Sequence, residues 1–437
     1  MTQNDMTRRG FLRLGALTAA GAGVATLAGC SPFGTGASAD PGALRVAWYG
    51  GDPVHQAMRQ ALEQYGSTAS AVRTSTQHAP FADYWDKIAT QTAARNAPDV
   101  MRMSVDYFSA YADRGALLDL GPAVADGVVD VSEMRDGPRQ SGILDGTRYG
   151  VGQSSIVNAG FLDREAAEAA GASAPPDGWT WDDLADWAAG VASDSGGRVH
   201  GTSDQGGHFE LFIPYVRQLG TNPFSDDGSD LLVTADALES WWTYWADLRA
   251  AGGTPTAAQT AGVTGFENYA VVAGQSVLDF GWVQQITFLQ PLMDSELELV
   301  LPPATHGGDP GYYVNSADMW SVASTTSAPE AATELIDFLV NDERAVRALG
   351  VTLGVPTSDR AVAQLDLEAG SPAARAVAFV DEVGPHVGDP PPPWPRAFTE
   401  LSQLFTKTAQ DIAFGSASPA QGTEAFLEQA ARAMSLS

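Results

Sequence analysis

Apolar residues along this chain alternate between short continuous runs and stretches in which they recur every third or fourth position. The runs at 44–49 and 98–104, with a shorter one at 71–74, predict strands. Helical spacing at 58–65, 81–94 and from 106 predicts helices between and after them. The chain therefore opens β-α-β-α-β-α, an order typical of a largely parallel sheet covered by helices.

The same alternation continues along the rest of the chain, and no internal repeat interrupts it. Short strands are predicted at 277–280, 297–300 and 320–323. Helices are predicted at 162–170, 181–191, 235–250, 330–340, 342–349, 397–413 and 419–434. The helix at 235–250 carries three tryptophans at helical spacing, which favours core packing over a binding role.

Residues 1–29 have the pattern of an export signal rather than of a folded segment. Paired Arg8 and Arg9 precede a weakly apolar, Ala/Gly-rich stretch at 14–28, which is too short for a spanning helix of about 20 residues. The arginine pair resembles a twin-arginine signal, and the segment ending in Cys30 resembles a bacterial lipobox. We expect cleavage before Cys30, lipidation of its thiol, a flexible linker over 30–43, and a protein anchored to the outer face of the cell membrane.

The composition excludes several classes of protein. With 437 residues and 44% hydrophobic residues, the chain has room for two or three domains and is not wholly disordered. Its single cysteine rules out a disulfide framework and a cysteine-based zinc site. There are 24 basic and 53 acidic residues, a formal charge of −29, which argues against a nucleic-acid partner and against a polybasic membrane-surface protein.

Motifs for several enzyme and cofactor chemistries are absent from the sequence. It contains no Gly-rich phosphate loop, no G-x-G-x-x-G after a strand, no G-x-S-x-G and no H-E-x-x-H. His200 and His208 are the closest histidines in a Gly-rich context, and the acidic run at 226–230 lacks the closing glutamate of a calcium loop. We therefore expect no cofactor, no metal and no catalytic residue.

A series of short motifs runs along the body of the chain, at 97–100, 111–120, 146–151, 170–184, 281–282 and 329–339. In this order they resemble those of the extracellular solute-binding proteins of ABC importers, specifically the sugar-binding, maltose-binding-protein-like family. Gln153 stands where many relatives carry proline, and 390–395 is unusually rich in proline, which leaves the identity of the ligand open.

The resemblance implies an α/β fold with two lobes, each a mostly parallel sheet flanked by helices, joined by about three crossing segments. We expect the first lobe at 44–154 and 277–324, and the second at 155–276 and 325–437. The ligand would lie between the lobes, which close around it. The closed form of a monomeric receptor, which is not an enzyme, would then dock on the permease subunits of an ABC transporter.

The resemblance also places candidate ligand-binding residues. It implies ligand carboxylates at Asp52 and Asp106, although either residue could instead cap a helix. Trp282 and Trp394 are expected to stack on the ligand, with core packing as the alternative for Trp282. One further aromatic at the end of the first strand is expected to face the ligand, and two polar residues at a Gly-rich loop are weaker candidates: Trp48 or Tyr49, and His208 with Glu210.

These residue types suit a carbohydrate, because aromatic rings pack on sugar faces and carboxylates accept hydrogen bonds from hydroxyl groups. The expected function is capture of a sugar, an oligosaccharide, for import. Three alternatives stay open: a receptor for another small solute such as a polyamine, a surface glycoside hydrolase that uses Asp52 and Asp106, and an adhesive lipoprotein.

Overall fold

The structure is a computed structural model that describes residues 42–175, 178–305 and 311–436. The predicted export signal with Arg8 and Arg9, the predicted lipidation site Cys30 and most of the linker at 30–43 lie outside the described residues. In the described part of the chain, no helix is both long enough and apolar enough to cross a bilayer.

The first part of the chain alternates strands and helices, as its hydrophobic pattern predicts. The helix predicted at 81–94 is present, whereas the strand predicted at 71–74 begins only at Thr74. The elements are β1 (Leu44–Tyr49), α1 (Asp52–Tyr65), β2 (Thr74–Ala79), α2 (Phe81–Ala93), β3 (Val100–Ser104), α3 (Val105–Asp113), α4 (Gly121–Ala125), α5 (Asp136–Gln140), β4 (Ile143–Leu144), β5 (Thr147–Arg148) and β6 (Val151–Gly152).

From residue 158 onward helices predominate, and short 3-10 turns interrupt them at Phe266–Asn268, Val283–Gln285, Gln290–Leu292 and Gly384–His386. The helix predicted at 235–250 has those bounds in the structure. The elements are β7 (Asn158–Asp163), α6 (Arg164–Ala169), α7 (Trp181–Asp194), α8 (Phe209–Gln218), α9 (Ala235–Ala250), α10 (Ala257–Ala261), β8 (Leu278–Trp282), α11 (Ile286–Leu289), β9 (Leu297–Val300), β10 (Asp318–Val322), α12 (Pro329–Asn341), α13 (Glu343–Leu349), α14 (Asp359–Ala363), α15 (Pro372–Val383), α16 (Phe398–Ala413) and α17 (Pro419–Leu436).

The first sheet has the order β2-β1-β3-β10-β6 and forms the centre of one lobe. Strands β1, β2 and β3 are parallel, and β10 runs antiparallel to both β3 and β6. One face of the sheet packs against α1, α12 and α13, and the other against α2 and α3. Because β1 is covered on both faces, it is apolar along nearly its whole length.

The second sheet has the order β8-β7-β9, and both of its pairs are antiparallel. The expectation of a mostly parallel sheet in each lobe is therefore wrong for this lobe. Apolar runs alone do not reveal the direction of its strands, because a buried strand is equally apolar in either direction. A large core that includes the three tryptophans of α9 packs around this sheet.

The expected lobe boundaries also need correction. Strands β8 and β9 pair with β7, so residues 278–300 belong to the second lobe and not to the first. Helices α12 and α13 pack on the first sheet, so residues 329–349 belong to the first lobe and not to the second. Both errors follow from grouping elements that are adjacent along the chain, whereas strand pairing joins distant ones.

Three segments of the described chain pass between the two lobes, at 153–157, 311–317 and 350–357. They lie side by side, because Ile156 exchanges two backbone hydrogen bonds with Asn315 (2.9 and 3.1 Å) and the Ser155 N–H donates to the Val355 carbonyl over 2.6 Å. Gly354 has φ +113°, and a Cβ there would lie 2.5 Å from Ser154 Cβ. The hinge is therefore built so tightly that this position requires glycine.

Candidate functional site

The carboxyl ends of the parallel strands β1 and β3 lead into the two turns that carry the predicted ligand acids. Ligands in open α/β sheets bind outside these strand ends. After β1, Gly50 has φ +144°, and a Cβ there would lie 2.8 Å from Val54 Cβ. This turn places Asp52 in the exposed first turn of α1. After β3, the chain turns directly into α3 and places Asp106 in its first turn.

Asp106 is a half-buried carboxyl where the two lobes meet. Ser104, the N-cap of α3, donates its hydroxyl to Asp106 Oδ2 over 3.1 Å, so Asp106 is not itself the cap. Thr399 of the second lobe donates to the Asp106 carbonyl oxygen over 2.9 Å. Burial, and then the nearby Glu210 carboxylate, raises the pKa of Asp106 to about 7. The first lobe therefore presents a carboxyl that shares its environment with an acid of the second.

The loop before α8 brings His208 and Glu210 to this junction from the second lobe. His208 is exposed and directly precedes α8, and Glu210 is half-buried in the first turn of the helix. Two hydrogen bonds to the core hold this loop in place, because the Gly206 carbonyl accepts from the indole N–H groups of Trp241 (3.1 Å) and Trp242 (3.2 Å). The tryptophans of α9 are thus core residues, as the spacing predicts, and they also position the site.

A buried polar network continues beneath this loop. Asp279 Oδ1 accepts hydrogen bonds from Ser203 Oγ (2.6 Å) and from the Phe280 N–H (2.9 Å), and burial raises the pKa of Asp279. Arg249 forms an ion pair with Asp204 at 2.7 Å. Because the Ser203, Asp204 and Asp279 side chains are buried and all of them are bonded, the loop is held in one arrangement.

Trp282 ends β8 and is partly exposed. The backbone N–H of Trp282 donates to Gln285 Oε1 over 3.1 Å, and Gln285 Nε2 donates to the Tyr269 hydroxyl over 3.4 Å. Burial raises the pKa of Tyr269, and the Asp279 and Glu210 carboxylates raise it further. No other aromatic ring of the described residues packs against Trp282. The Trp282 backbone is therefore linked through Gln285 to Tyr269, whose hydroxyl senses the Glu210 carboxylate.

The other predicted aromatic residues are buried. Trp48 is 0% exposed, and its indole N–H donates to His55 Nδ1 over 3.1 Å. Tyr49 is also in the core, and its carbonyl accepts a hydrogen bond from Arg102 at 2.9 Å. The expectation that one of the pair faces the ligand is wrong for this structure, because both faces of β1 are covered.

Trp394 lines a cavity between the lobes, as expected of a cleft residue, although most of its side chain is buried. It is 3% exposed and stacks on Phe398, with ring centroids 3.8 Å apart. The proline run at 390–393 leads into α16 and carries the indole against that helix. Proline content predicts a break in secondary structure, but it does not predict exposure.

Asp52 lies among different charges from Asp106. It faces a pair of histidines, His55 and His78, whose ring centroids are 3.9 Å apart. The pKa values of both histidines are lowered, chiefly by burial, and Asp52 opposes that effect. The carboxyl group that interacts with Asp106 is that of Glu210. The structure therefore does not pair Asp52 with Asp106, as a hydrolase would need.

Two aromatic residues near the site were missed by the sequence interpretation. Phe81 is 41% exposed at the start of α2, directly after β2. Tyr107 stacks on Trp85 at 3.9 Å, and its ring lies 6.0 Å from that of Phe81. Both could have been found, because one follows a strand end and the other adjoins Asp106.

The junction thus combines carboxyl groups from both lobes with accessible aromatic surface. In the described ranges, no three His, Cys, Asp or Glu side chains are grouped so that they could hold a metal ion. Carboxyl groups accept hydrogen bonds from hydroxyl or ammonium donors, and aromatic faces pack on apolar C–H surfaces. The arrangement suits a ligand that has many hydrogen-bond donors and an apolar face.

Comparison with known proteins agrees with this fold. Residues 58–378 match the family described as bacterial extracellular solute-binding protein. A family 1 extracellular solute-binding protein from Alicyclobacillus acidocaldarius is 28% identical with a TM-score of 0.69, and the alignment covers 90% of this chain and 98% of that chain. An ABC substrate-binding protein from Listeria monocytogenes, solved with cycloalternan, is 18% identical with a TM-score of 0.78 and the same coverage. A periplasmic oligogalacturonide-binding protein from Yersinia enterocolitica, solved with saturated digalacturonic acid, is 21% identical with a TM-score of 0.76 and again that coverage.

Proposed function

Because the chain belongs to the bacterial extracellular solute-binding protein family, we propose that it is the receptor of an ABC importer and captures an oligosaccharide between its lobes. The observation that carries the proposal is that Asp106 of one lobe lies close enough to Glu210 of the other for their carboxyl groups to interact, and the second lobe also carries the partly exposed Trp282. The similar proteins from Listeria and Yersinia were solved with oligosaccharides.

Capture would proceed by closure of the lobes around the sugar. Hydroxyl groups of the ligand donate to Asp106 on one lobe and to Glu210 on the other, while an apolar sugar face packs on Trp282. A ligand that bonds to both carboxyl groups replaces the repulsion between them with a shared partner. The closed arrangement is then favoured only when the ligand is present, which is the condition for delivery to a permease.

We further propose that the receptor is anchored by lipid at Cys30 after export through the Arg8-Arg9 signal. The linker at 30–43 would let the body reach the permease from the membrane surface. Expression in a bacterial host that has the lipid-transfer machinery, followed by mass spectrometry of the mature N-terminus, tests this. Recovery of a chain with unmodified Cys30 in the soluble fraction would contradict the anchor and leave the binding proposal intact.

Isothermal titration calorimetry of the full chain against mono- and oligosaccharides tests the ligand class. We expect an oligosaccharide to bind, and the Trp282→Ala variant to bind it at least about tenfold more weakly, equivalent to about 1.4 kcal/mol. Phe414→Ala is the matched control, because Phe414 is 57% exposed and follows the end of α16. No binding by any sugar, or equal losses in both variants, would refute the proposal.

The paired carboxyl groups also suit a cationic ligand, so a polyamine is the second candidate. Spermidine would be drawn to Asp106 and Glu210 by charge, and its binding would weaken steeply with salt. Binding of spermidine at this junction, lost in Asp106→Asn and unchanged in Trp282→Ala, would replace the sugar proposal. Release of labelled products from an oligosaccharide over many turnovers would instead identify an enzyme.

A further inference from the structure

A cavity of about 320 Å³ opens on the second lobe. Every residue that lines it within the described ranges belongs to that lobe, and the lining comes from the start of α7, from α8 and α9, and from the segment after β9. Tyr215 of α8 follows Glu210 by five residues, which places the two side chains about 140° apart around the helix. The cavity is therefore not part of the cleft between the lobes.

Four aromatic rings line the cavity and meet at steep angles. The ring of Trp181 is nearly perpendicular to those of Tyr215 and Tyr244, with interplanar angles of 88° and 83° and centroids 5.8 and 5.7 Å away. The ring of Trp241 lies 5.3 Å from that of Trp181. The tyrosines are half-buried and form the sides of the cavity, whereas the buried tryptophans form its floor. The faces of such rings carry negative partial charge and attract a compact cation.

Hydrogen bonds to the protein hold three of these rings in place. The Trp181 indole N–H donates to Gln218 Oε1 over 2.8 Å, and the Trp241 indole N–H donates to the Gly206 carbonyl over 3.1 Å. The Tyr244 hydroxyl donates to the Trp181 carbonyl over 2.8 Å. The walls are therefore fixed before any ligand binds, which favours affinity, and the two indoles have no N–H left to donate to an anion.

The charge around the cavity is negative. Asp182 is an exposed carboxylate that lines it, and no lysine or arginine is among the described lining residues. Burial raises the pKa of Tyr244, and the Asp182 and Asp186 carboxylates raise it further, because both lie near this ring. A quaternary ammonium suits these walls better than a primary amine does, because it has no N–H donors that would need acceptors among the rings.

We propose that this aromatic cavity is a second binding site, one that takes a small quaternary ammonium cation. The methyl groups of the cation pack on the faces of Tyr215 and Tyr244 above the two tryptophans, and its charge lies beside the Asp182 carboxylate. The site goes beyond the capture of a sugar and does not depend on it. Because its walls come from one lobe, closure of the lobes does not alter them, and the cation binds to open and closed forms alike.

Calorimetry of the full chain at low ionic strength tests the site, with choline as the probe and 3,3-dimethyl-1-butanol, which has carbon in place of the nitrogen, as its uncharged match. Choline is expected to bind at least about tenfold more tightly than the alcohol. Asp182→Asn should weaken choline at least about threefold, because it removes the carboxylate beside the cation. Asp126→Asn removes an exposed aspartate of the first lobe and should bind choline as the wild type does.

Further variants separate aromatic contact from charge and this site from the cleft. Tyr215→Phe keeps the ring and should bind choline as the wild type does, whereas Tyr215→Leu should bind it at least about fivefold more weakly. Circular dichroism shows whether Tyr215→Leu folds, and Asp182→Asn decides if it does not. Asp106→Asn/Glu210→Gln should leave choline binding unchanged. Absence of choline binding, equal binding of the alcohol, full affinity in Asp182→Asn or in folded Tyr215→Leu, or loss in Asp106→Asn/Glu210→Gln would each overturn the proposal.

Discussion

Replacing Asp106 by asparagine is predicted to stabilise the ligand-free protein at and above neutral pH. In the folded chain, burial and Glu210 raise the pKa of this carboxyl from 3.8 to about 7. That difference corresponds to at most about 4 kcal/mol that the folded protein loses when the group ionises. Asparagine keeps an oxygen for the Ser104 hydroxyl, which donates to Asp106 over 3.1 Å, and removes the ionisation.

The sign of the pH dependence follows from where the proton is bound. Between about pH 4 and 7 the folded protein keeps the proton on Asp106, whereas the unfolded chain has lost it. The free energy of unfolding therefore falls through this window as pH rises, and the contribution is constant above it. In Asp106→Asn this fall is absent, so the variant gains stability relative to the wild type from pH 5 to 7 and keeps that gain at pH 8.

Urea unfolding at pH 5, 6, 7 and 8, followed by tryptophan fluorescence, measures the effect as the difference between variant and wild type. Glu424→Gln is the control, because it removes an exposed acid on α17, and its difference from wild type should not change with pH. Glu210→Gln should move the fall of the wild type to lower pH without abolishing it, because burial is the larger cause. Parallel curves for wild type and Asp106→Asn across this range would refute the reasoning.

Gly354→Ala should lower the free energy of unfolding by about 1–3 kcal/mol, because a Cβ at φ +113° would lie 2.5 Å from Ser154 Cβ. Gly190→Ala should raise it by about 0.5–1 kcal/mol, since Gly190 is inside α7 with open space around it; urea midpoints that rank the two variants the other way would contradict both. Burial lowers the pKa of His55 below 6.5, so its contribution to stability is present above pH 6.5 and is lost as pH falls below that value. Thermal unfolding at pH 7.5 and 5.5 should show a smaller acid loss in His55→Gln than in the wild type, and an equal loss would contradict this.

Local patterns predicted most of the elements, because helical spacing and apolar runs are properties of neighbouring residues. The helix at 235–250 has the predicted bounds, and the strand over 44–49 is present as expected. The errors occur where a pattern has two explanations. Residues 162–163, predicted as the start of a helix, end β7, because an apolar segment before a helix is also what a buried strand looks like.

The candidate site was only partly predictable for a related reason. Asp106, His208 and Glu210 lie at the start of a helix and Trp282 at the end of a strand, and such positions can be identified from sequence. Trp48 and Trp394 have similar local surroundings, yet both are buried. Whether an aromatic residue faces a ligand or a core depends on what covers it from elsewhere in the chain, and local sequence does not contain that information.

The sequence by itself determined the class of fold and the order of the family's motifs, because both depend on residues close together in the chain. It also predicts an export signal at Arg8 and Arg9 and a lipidation site at Cys30. The tertiary structure decided that β8 and β9 belong with β7 and that Asp106 meets Glu210 and not Asp52. Strand pairing and contacts between the lobes join residues that are about a hundred positions apart in the chain. Such contacts are selected by the packing of the whole chain, and no local pattern specifies them.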